Sequence, residues 1–82
     1  MDFKGKNVLI TGASNGLGSR IAYDFARCGA KVIINYNKSY EKALELKKKI
    51  DNDFESALMV KADVSDEAEV KEMFKKINDE GI

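Results

Sequence analysis

The 82-residue chain contains no histidine, and its only cysteine is Cys28. Zinc sites are usually built from histidine and several cysteines, and histidine is the commonest general acid or base. Zinc binding and histidine-based catalysis within this chain are therefore excluded, as is an internal disulfide. With no histidine to activate it, Cys28 is expected to be a small buried apolar side chain and not a nucleophile.

An excess of charge and long apolar runs are also lacking. Lysine and arginine number 14, aspartate and glutamate number 14, and the formal net charge is zero. Because nucleic-acid binding needs a basic face, no nucleic-acid partner is expected. Apolar runs such as residues 8–10 and 32–34 are only a few residues long, and no apolar segment follows the first charges. We therefore expect no membrane span and no secretory signal, but a reduced, cytoplasmic protein.

The chain alternates between two hydrophobic patterns. Residues 7–11, 31–35 and 57–60 are short runs of apolar and β-branched residues, and helical spacing follows each run. Strands that are apolar on both faces are typical of a parallel sheet covered by helices on both sides. The order βαβαβα therefore predicts right-handed crossovers and a parallel sheet.

The three predicted helices each have one apolar face. These faces comprise Leu17, Ile21, Ala22, Phe25, Ala26 and Cys28 in the first helix, Ala43, Leu46 and Ile50 in the second, and Val70, Met73, Phe74 and Ile77 in the third. Residues that favour helix ends predict a C-cap at Gly29, an N-cap at Ser39, a break at residues 51–53, and a second N-cap at Ser65 or Asp66.

The glycine loop, residues 11–18, reads Thr-Gly-Ala-Ser-Asn-Gly-Leu-Gly between the first predicted strand and the first helix. Gly12 would allow a tight turn, Gly16 a close approach of the backbone to a pyrophosphate, and Gly18 close packing of the helix against the sheet. The helix dipole and free N–H groups would face the phosphates. A P-loop is excluded, since Leu17 lies five residues after Gly12 and the loop has no lysine. The Gly-x-Gly-x-x-Gly fingerprint does not match either. A glycine turn without a ligand is the alternative, but the strand-to-helix context favours nucleotide binding.

The pattern Thr-Gly-x-x-x-Gly-x-Gly in residues 11–18 resembles the cofactor loop of the short-chain dehydrogenase/reductase family. The likeness extends through residues 4–7, 28–32 and 62–65. These phrases look most like 3-oxoacyl-acyl-carrier-protein reductases, while glucose dehydrogenases of the family share residues 34–36. The resemblance implies an α/β fold: the first half of a three-layer, Rossmann-type doubly wound parallel sheet, with strand order 3-2-1 and the first strand at an edge.

The same resemblance implies a cofactor site. The pyrophosphate would be held by Gly12, Ser14, Asn15, Gly16, Leu17 and Gly18, with Ser14 in a supporting role. Asp63 would hydrogen-bond the adenine amino group, and the Val64 backbone would contact the ring. For Asp63 the residues leave an alternative open, namely a strand-end side chain that satisfies local N–H groups.

The end of the second predicted strand selects between two cofactors. An acidic residue there would bind the ribose 2′-hydroxyl and repel a 2′-phosphate. Asn35, Tyr36, Asn37 and Lys38 occupy this end, and no acidic residue precedes Glu41. Lys38 is the only cation expected nearby, and Asn37 and Ser39 can donate hydrogen bonds. These residues are therefore predicted to contact the cofactor and to favour NADP(H) over NAD(H).

The catalytic residues that the resemblance implies are not found in this chain. The family transfers hydride between a nicotinamide and a carbonyl or alcohol carbon, assisted by a serine and by tyrosine and lysine in Tyr-x-x-x-Lys. None of Tyr23, Tyr36 and Tyr40 is followed by lysine four residues later. We therefore expect residues 1–82 to be the N-terminal part of a single NAD(P)-binding Rossmann domain, truncated before the fourth strand and inactive by itself.

By resemblance, the whole enzyme would use NADP to reduce 3-oxoacyl-acyl-carrier protein to its 3-hydroxyacyl form in fatty-acid synthesis. Its partners would then be the dinucleotide, the acyl-carrier-protein substrate and further copies of itself in a homo-oligomer. Two alternatives stay open. One is another oxidoreductase of the family, such as a glucose dehydrogenase, and the other is a nucleotide-binding fragment without catalysis.

Overall fold

The computed structural model describes residues 2–13, 15–54 and 56–81, in which strands and helices alternate as the sequence predicts. The elements are β1 (Asn7–Ile10), α1 (Gly16–Arg27), β2 (Lys31–Tyr36), α2 (Tyr40–Asp53), β3 (Leu58–Lys61) and α3 (Glu67–Asp79). The strand ends differ from the prediction by one residue, since β1 stops before Thr11 and both β2 and β3 extend one residue further. Within the described ranges, no helix is long and apolar enough to cross a bilayer.

The three strands form one parallel sheet with β2 at its centre. The order is β1-β2-β3, so that Ile34 pairs with Ile10 on one side and with Met59 on the other. Read from the opposite edge this is 3-2-1, which confirms the predicted order and places β1 at an edge. Because the strands run parallel, their three carboxyl ends lie along the same edge of the sheet.

Helices cover both faces of the sheet, which gives the three layers expected. Val32 and Ile34 of β2 are buried in a core beneath α1 and α2. Ile33 points to the opposite face and is buried with Met73 and Ile77 of α3. This alternation follows from the two-residue period of a strand. Each fully buried Ile or Val side chain contributes about 1.5–3 kcal/mol to the stability of these two cores.

The predicted apolar faces of α1 and α3 are wrong in part. Leu17 is 76% exposed, Ile21 39% and Phe74 49%. In α1 the small side chains of Ala22 and Ala26 are the buried ones, and they bring the helix axis close to the sheet. Only one stripe of a helix surface packs against the sheet, so larger apolar residues beside that stripe are left exposed. The face predicted for α2 is confirmed, with all three of its residues buried.

Side-chain capping distinguishes the two later helices. The Asp66 carboxylate caps α3 by accepting hydrogen bonds from the N–H groups of Ala68 at 2.9 Å and Glu69 at 3.3 Å. This resolves the predicted choice between Ser65 and Asp66 in favour of the aspartate. Ser39 occupies the N-cap position of α2, but its side chain makes no capping hydrogen bond.

The ends of α1 and α2 depend on two different features. The C-cap of α1 is Cys28, one residue before the predicted Gly29. Gly29 follows it with a φ of +97°, a conformation that favours glycine, so it ends the helix as predicted. Cys28, directly before it, is half-buried and not fully buried as expected. The predicted break at residues 51–53 is wrong, because α2 continues through these residues and ends before the extended Phe54.

Two hydrogen-bonded groups fasten the end of α2 to its surroundings. Asp51 accepts from the Ala57 N–H at 2.7 Å and from Lys47 Nζ at 2.6 Å. Burial would raise the pKa of Asp51, but these two hydrogen bonds and the positive charges of Lys47 and Lys31 together outweigh it and hold the pKa below its ordinary value. The Tyr23 hydroxyl of α1 donates to Asp53 Oδ2 at 2.7 Å, and this bond, with some burial, raises the pKa of Tyr23.

Candidate functional site

A cleft of about 380 Å³ lies where the carboxyl ends of the three strands meet, and we call it the strand-end cleft. Its walls come from the loop after β1, the turn after β2 and the segment after β3. Most of the predicted cofactor-binding residues line it, namely Gly12, Asn15, Asn35, Tyr36, Asn37, Lys38, Asp63 and Val64. Ser39, predicted as a possible hydrogen-bond donor, lines it as well, and so does Ala62, which was not among the predicted contacts.

The other predicted residues lie apart from the cleft walls or outside the description. Gly16, Leu17 and Gly18 form the first turn of α1 and do not line the strand-end cleft. Ser14 lies outside the described residues. The cleft therefore gathers the residues predicted for the adenosine end of a dinucleotide, and the turn of α1 stands beside it.

The glycine loop depends on two of its glycines for different reasons. Gly12 has a φ of +66°, which strains any residue with a Cβ, so the tight turn after β1 is confirmed. A Cβ added to Gly18 would lie closer than 3.0 Å to the Gly12 carbonyl oxygen. Gly18 thus permits contact of α1 with the loop backbone, and not mainly with the sheet as predicted. A Cβ on Gly16 would meet open space.

The N-terminus of α1 is open to an anion. The first N–H groups of a helix have no acceptor within it, and they carry the positive end of its dipole. Asn15 stands at the N-cap, but its side chain makes no capping hydrogen bond, and the first turn contains no acidic residue. This helix end can therefore accept a phosphate beside the strand-end cleft.

Asn35 lines the cleft, and its amide nitrogen is hydrogen-bonded within the protein. The residue is 3% exposed, and its Nδ2 donates to the carbonyl oxygens of Ala62 at 3.2 Å and Val60 at 3.4 Å and lies 3.4 Å from Met73 Sδ. The amide nitrogen is thus committed to the interior between β3 and α3. The contact of Asn35 with a cofactor stays a prediction, and the partners of Nδ2 leave that nitrogen engaged within the protein.

Asp63 makes local hydrogen bonds at the exit from β3. Its Oδ1 accepts from the Ser65 hydroxyl at 2.6 Å and from the Ser65 N–H at 2.9 Å. These two bonds, with the positive charge of Lys38, hold the pKa of Asp63 below its ordinary value against a smaller effect of burial. The carboxylate therefore stays ionised at neutral pH and can accept a hydrogen from a ligand. The local role that the sequence left open as an alternative is present at the same time.

Lys38 is not the only cation near the end of β2. Lys61 pairs in register with Tyr36, and both line a shallow recess of about 520 Å³ together with Asn37, Lys38 and Tyr40. The sequence interpretation missed Lys61 because it treated each strand end separately. The signal was available, since Lys61 precedes Asp63 by two residues and parallel strands that end at one edge bring such residues together.

A family model described as short chain dehydrogenase matches residues 6–81 of this chain. The chain belongs to the short-chain dehydrogenase/reductase family. Members of this family bind a nicotinamide dinucleotide, which fits a cleft at the carboxyl ends of parallel strands.

Relatives of this short-chain dehydrogenase/reductase chain include enzymes of fungi and bacteria. Trihydroxynaphthalene reductase of Colletotrichum orbiculare is 43% identical over 70 residues, which make up 85% of this chain and 25% of that protein. A short-chain dehydrogenase of Burkholderia cenocepacia, solved in complex with NADP, superposes with a TM-score of 0.88 at 33% identity. That match covers 96% of this chain and 32% of the other.

A short-chain type dehydrogenase/reductase of Mycobacterium marinum superposes with a TM-score of 0.89 at 32% identity, again over 96% of this chain and 32% of the other. The chain spans about a quarter of the length of the curated relatives that it matches. These relatives are named as hydroxynaphthalene reductases. They support a reductase of this family, and they do not support the more specific resemblance to 3-oxoacyl-acyl-carrier-protein reductases or a place in fatty-acid synthesis.

Proposed function

We propose that the chain is the NADP(H)-binding part of a short-chain reductase that acts on a ketone. The observation that carries this proposal is the strand-end cleft, which brings residues from three separate loops together beside the open N-terminus of α1. In this assignment residues 1–82 form the N-terminal part of a single NAD(P)-binding domain. The nicotinamide, when bound, supplies the hydride.

The phosphates of the dinucleotide are assigned to the glycine loop. The open space over Gly16 leaves room for a pyrophosphate against the backbone of α1, and the first N–H groups of the helix can donate to its oxygens. The left-handed Gly12 directs the loop around that position. Asn15 lines the strand-end cleft next to it. The roles of Ser14, Leu17 and Gly18 in holding the pyrophosphate stay predictions.

The adenosine end is assigned to the strand-end cleft. Asp63, ionised and at the cleft wall, can accept a hydrogen from the adenine amino group, and Val64 beside it is 51% exposed and can cover the ring. The 2′-phosphate is assigned to the recess beyond β2, where Lys38 and Lys61 both stand and no acidic residue ends the strand. Two ammonium groups favour a phosphate over a bare hydroxyl, which supports NADP(H).

The substrate is assigned only by class. The relatives named as hydroxynaphthalene reductases support reduction of an aromatic substrate of the hydroxynaphthalene type. Reduction of a 3-oxoacyl-acyl-carrier protein and oxidation of a sugar are second candidates, which rest on the sequence phrases alone. Activity with one substrate class in the complete enzyme, compared at equal NADPH, would separate the three.

The direct test is binding of NADPH and NADH to the purified chain by isothermal titration. We expect NADPH to bind more tightly, and equal or tighter binding of NADH would refute the cofactor assignment. The variant Lys38→Ala should weaken NADPH binding and leave NADH binding unchanged. Lys48→Ala, which removes an equally exposed lysine on the outer face of α2, is the matched control and should change neither.

Catalysis is tested separately from binding. Because Tyr-x-x-x-Lys does not occur in these 82 residues, we expect the purified chain to bind NADPH without oxidising it in the presence of a ketone. Turnover by this chain would contradict that expectation. A chain that is stabilised by NADPH against thermal unfolding but never turns over would also fit a nucleotide-binding module without catalysis, and complementation by a chain that carries the tyrosine and lysine would distinguish the two.

A further inference from the structure

One peptide group in the wall of the strand-end cleft is held at both of its polar atoms by side chains. This is the peptide that joins Ala62 to Asp63. Its carbonyl oxygen accepts from Asn35 Nδ2 at 3.2 Å, and its N–H donates to Glu69 Oε1 at 3.1 Å. Asn35 belongs to β2 and Glu69 to α3, so two elements on either side of the segment after β3 fix the plane of a single peptide.

The surroundings of each side chain explain why it bonds to this peptide. Asn35 Nδ2 lies nearer to the Ala62 carbonyl oxygen than to its other two partners, the Val60 carbonyl oxygen and Met73 Sδ, both at 3.4 Å. Asn35 is 3% exposed in an otherwise apolar core, and burying an amide is unfavourable unless it is hydrogen-bonded. Glu69 stands three residues after the N-cap Asp66, where a capping-box glutamate would bond the N–H of the N-cap residue. Here the Asp66 N–H donates instead to the Asp63 carbonyl oxygen at 3.0 Å. Glu69 therefore accepts from an N–H further back along the chain, that of Asp63.

The orientation of this peptide decides where the cleft wall stands. A peptide is planar, so its two hydrogen bonds fix the direction in which the chain leaves Ala62 and the placement of the next two residues, Asp63 and Val64. Ala62 is also tied to β2, because its N–H donates to the Tyr36 carbonyl oxygen at 2.9 Å. We call the hydrogen bonds of this peptide to Asn35 and Glu69 the peptide clamp. Loss of the clamp would remove two of the hydrogen bonds that hold the segment after β3 and would loosen the cleft wall.

We propose that Asn35 and Glu69 are positioning residues that lock the Ala62–Asp63 peptide and thereby set the wall of the strand-end cleft against which the adenosine end of the cofactor binds. This inference rests on the proposed function. Neither side chain needs to touch the cofactor, because Asn35 acts from the core and Glu69 from the first turn of α3.

The test compares Glu69→Ala with Glu69→Gln in the purified chain. Glutamine keeps the Oε1 acceptor but loses the charge, whereas alanine loses both. Glu67→Ala is the matched control, since it removes a carboxylate from the same helical turn. The Glu67 side chain is 86% exposed, and among the described residues its ion pair is with Lys71, at 3.4 Å. Affinity for NADPH is measured by isothermal titration, and exchange of the Asp63 amide proton is measured by NMR.

We expect Glu69→Ala to weaken NADPH binding about two- to tenfold and to speed exchange of the Asp63 amide by a similar factor, as loss of one hydrogen bond implies. Glu69→Gln should retain both properties within about twofold, and so should Glu67→Ala. Asn35→Leu removes the donor on the other side of the peptide. It should also weaken binding, with its free energy of unfolding measured alongside because the residue is buried.

The outcomes separate the two proposals. If the unmodified chain binds no dinucleotide, the proposed function fails, and the positioning role fails with it. If it binds NADPH and Glu69→Ala binds equally well, only the positioning role is overturned. Equal weakening by Glu69→Gln and Glu69→Ala would also overturn it, because the effect would then come from charge and not from the peptide clamp.

Discussion

Replacement of Gly18 by alanine tests the packing of the glycine loop most sharply. In most helix positions the change from glycine to alanine stabilises a protein, by about 0.5–1 kcal/mol, because it reduces the conformational freedom of the unfolded chain. Gly18 lies within α1 and its φ is not positive, so alanine can adopt the same backbone conformation. The new Cβ, however, would approach the Gly12 carbonyl oxygen closer than 3.0 Å, and it would also lie 3.1 Å from the Gly12 carbonyl carbon and 3.2 Å from Ala13 Cα.

The size of the destabilisation depends on whether the atoms around the new Cβ can move away from it. All three neighbours are backbone atoms, and Ala13 is fully buried, so no flexible side chain can make room. Overpacking of this kind costs about 1–3 kcal/mol, and the gain in helix propensity offsets part of it. We expect Gly18→Ala to lower the free energy of unfolding by about 1–2 kcal/mol, which for a domain of this size corresponds to a fall of about 5–15 °C in Tm.

The assay is urea unfolding followed by circular dichroism, with Gly16→Ala as the matched control. Gly16 lies in the same helical turn, and its Cβ would meet open space. Gly16→Ala should leave stability unchanged or raise it by up to about 1 kcal/mol. It should nevertheless weaken NADPH binding, because the methyl group occupies the space assigned to the pyrophosphate. If Gly18→Ala is as stable as Gly16→Ala, the contact between α1 and the loop backbone does not restrict this position and the argument is refuted.

Three further predictions concern charged groups. Asp51→Ala should cost about 0.5–1.5 kcal/mol near neutral pH, since the Ala57 N–H loses its acceptor. Because the pKa of Asp51 is lowered in the fold, this difference should be full above about pH 5 and vanish as pH falls through the folded pKa, in urea titrations at several pH values. Asp53→Ala should return the raised pKa of Tyr23 toward its ordinary value in an ultraviolet titration, and an unmoved curve would contradict the assigned hydrogen bond. Lys38→Glu should lower the ratio of NADPH to NADH affinity about tenfold or more, and an unchanged ratio would remove Lys38 from the 2′-phosphate site.

The sequence predicted the sheet and the glycine loop because both depend on local patterns. Parallel strands that are apolar on both faces, separated by helices, admit few topologies. The order of β1, β2 and β3 itself was implied by the resemblance to the family, and the structure shows that order. The tight turn at Gly12 was predicted from a glycine placed directly after a strand, and its positive φ agrees. The cap of α3 was narrowed to two adjacent residues by the same local chemistry, and the hydrogen bonds of Asp66 decide between them.

The sequence did not predict the burial of individual side chains, because burial depends on how the helices and strands pack against one another. Helical periodicity identifies an apolar side of α3, but not how much of it β3 covers, and Phe74 is therefore half exposed. The buried position of Asn35 is likewise not visible in a strand that reads as apolar around it, since its amide becomes acceptable only where it finds the carbonyl oxygens of β3. Such pairings join residues more than twenty positions apart, and sequence spacing does not contain them.

The set of residues that line the strand-end cleft follows from one geometric fact, the common direction of the three strands. Gly12 lies two residues beyond β1, Asn37 one residue beyond β2, and Asp63 two residues beyond β3. Parallel pairing brings these unrelated positions to one edge, so each strand contributes the first residues after its end to the same space. The same argument places Lys61, the last residue of β3, level with Tyr36 and adds a second cation where sequence order suggested only Lys38. A charge that is distant in sequence thus contributes to cofactor preference through strand register, and a variant of Lys61 should shift that preference in the same direction as one of Lys38.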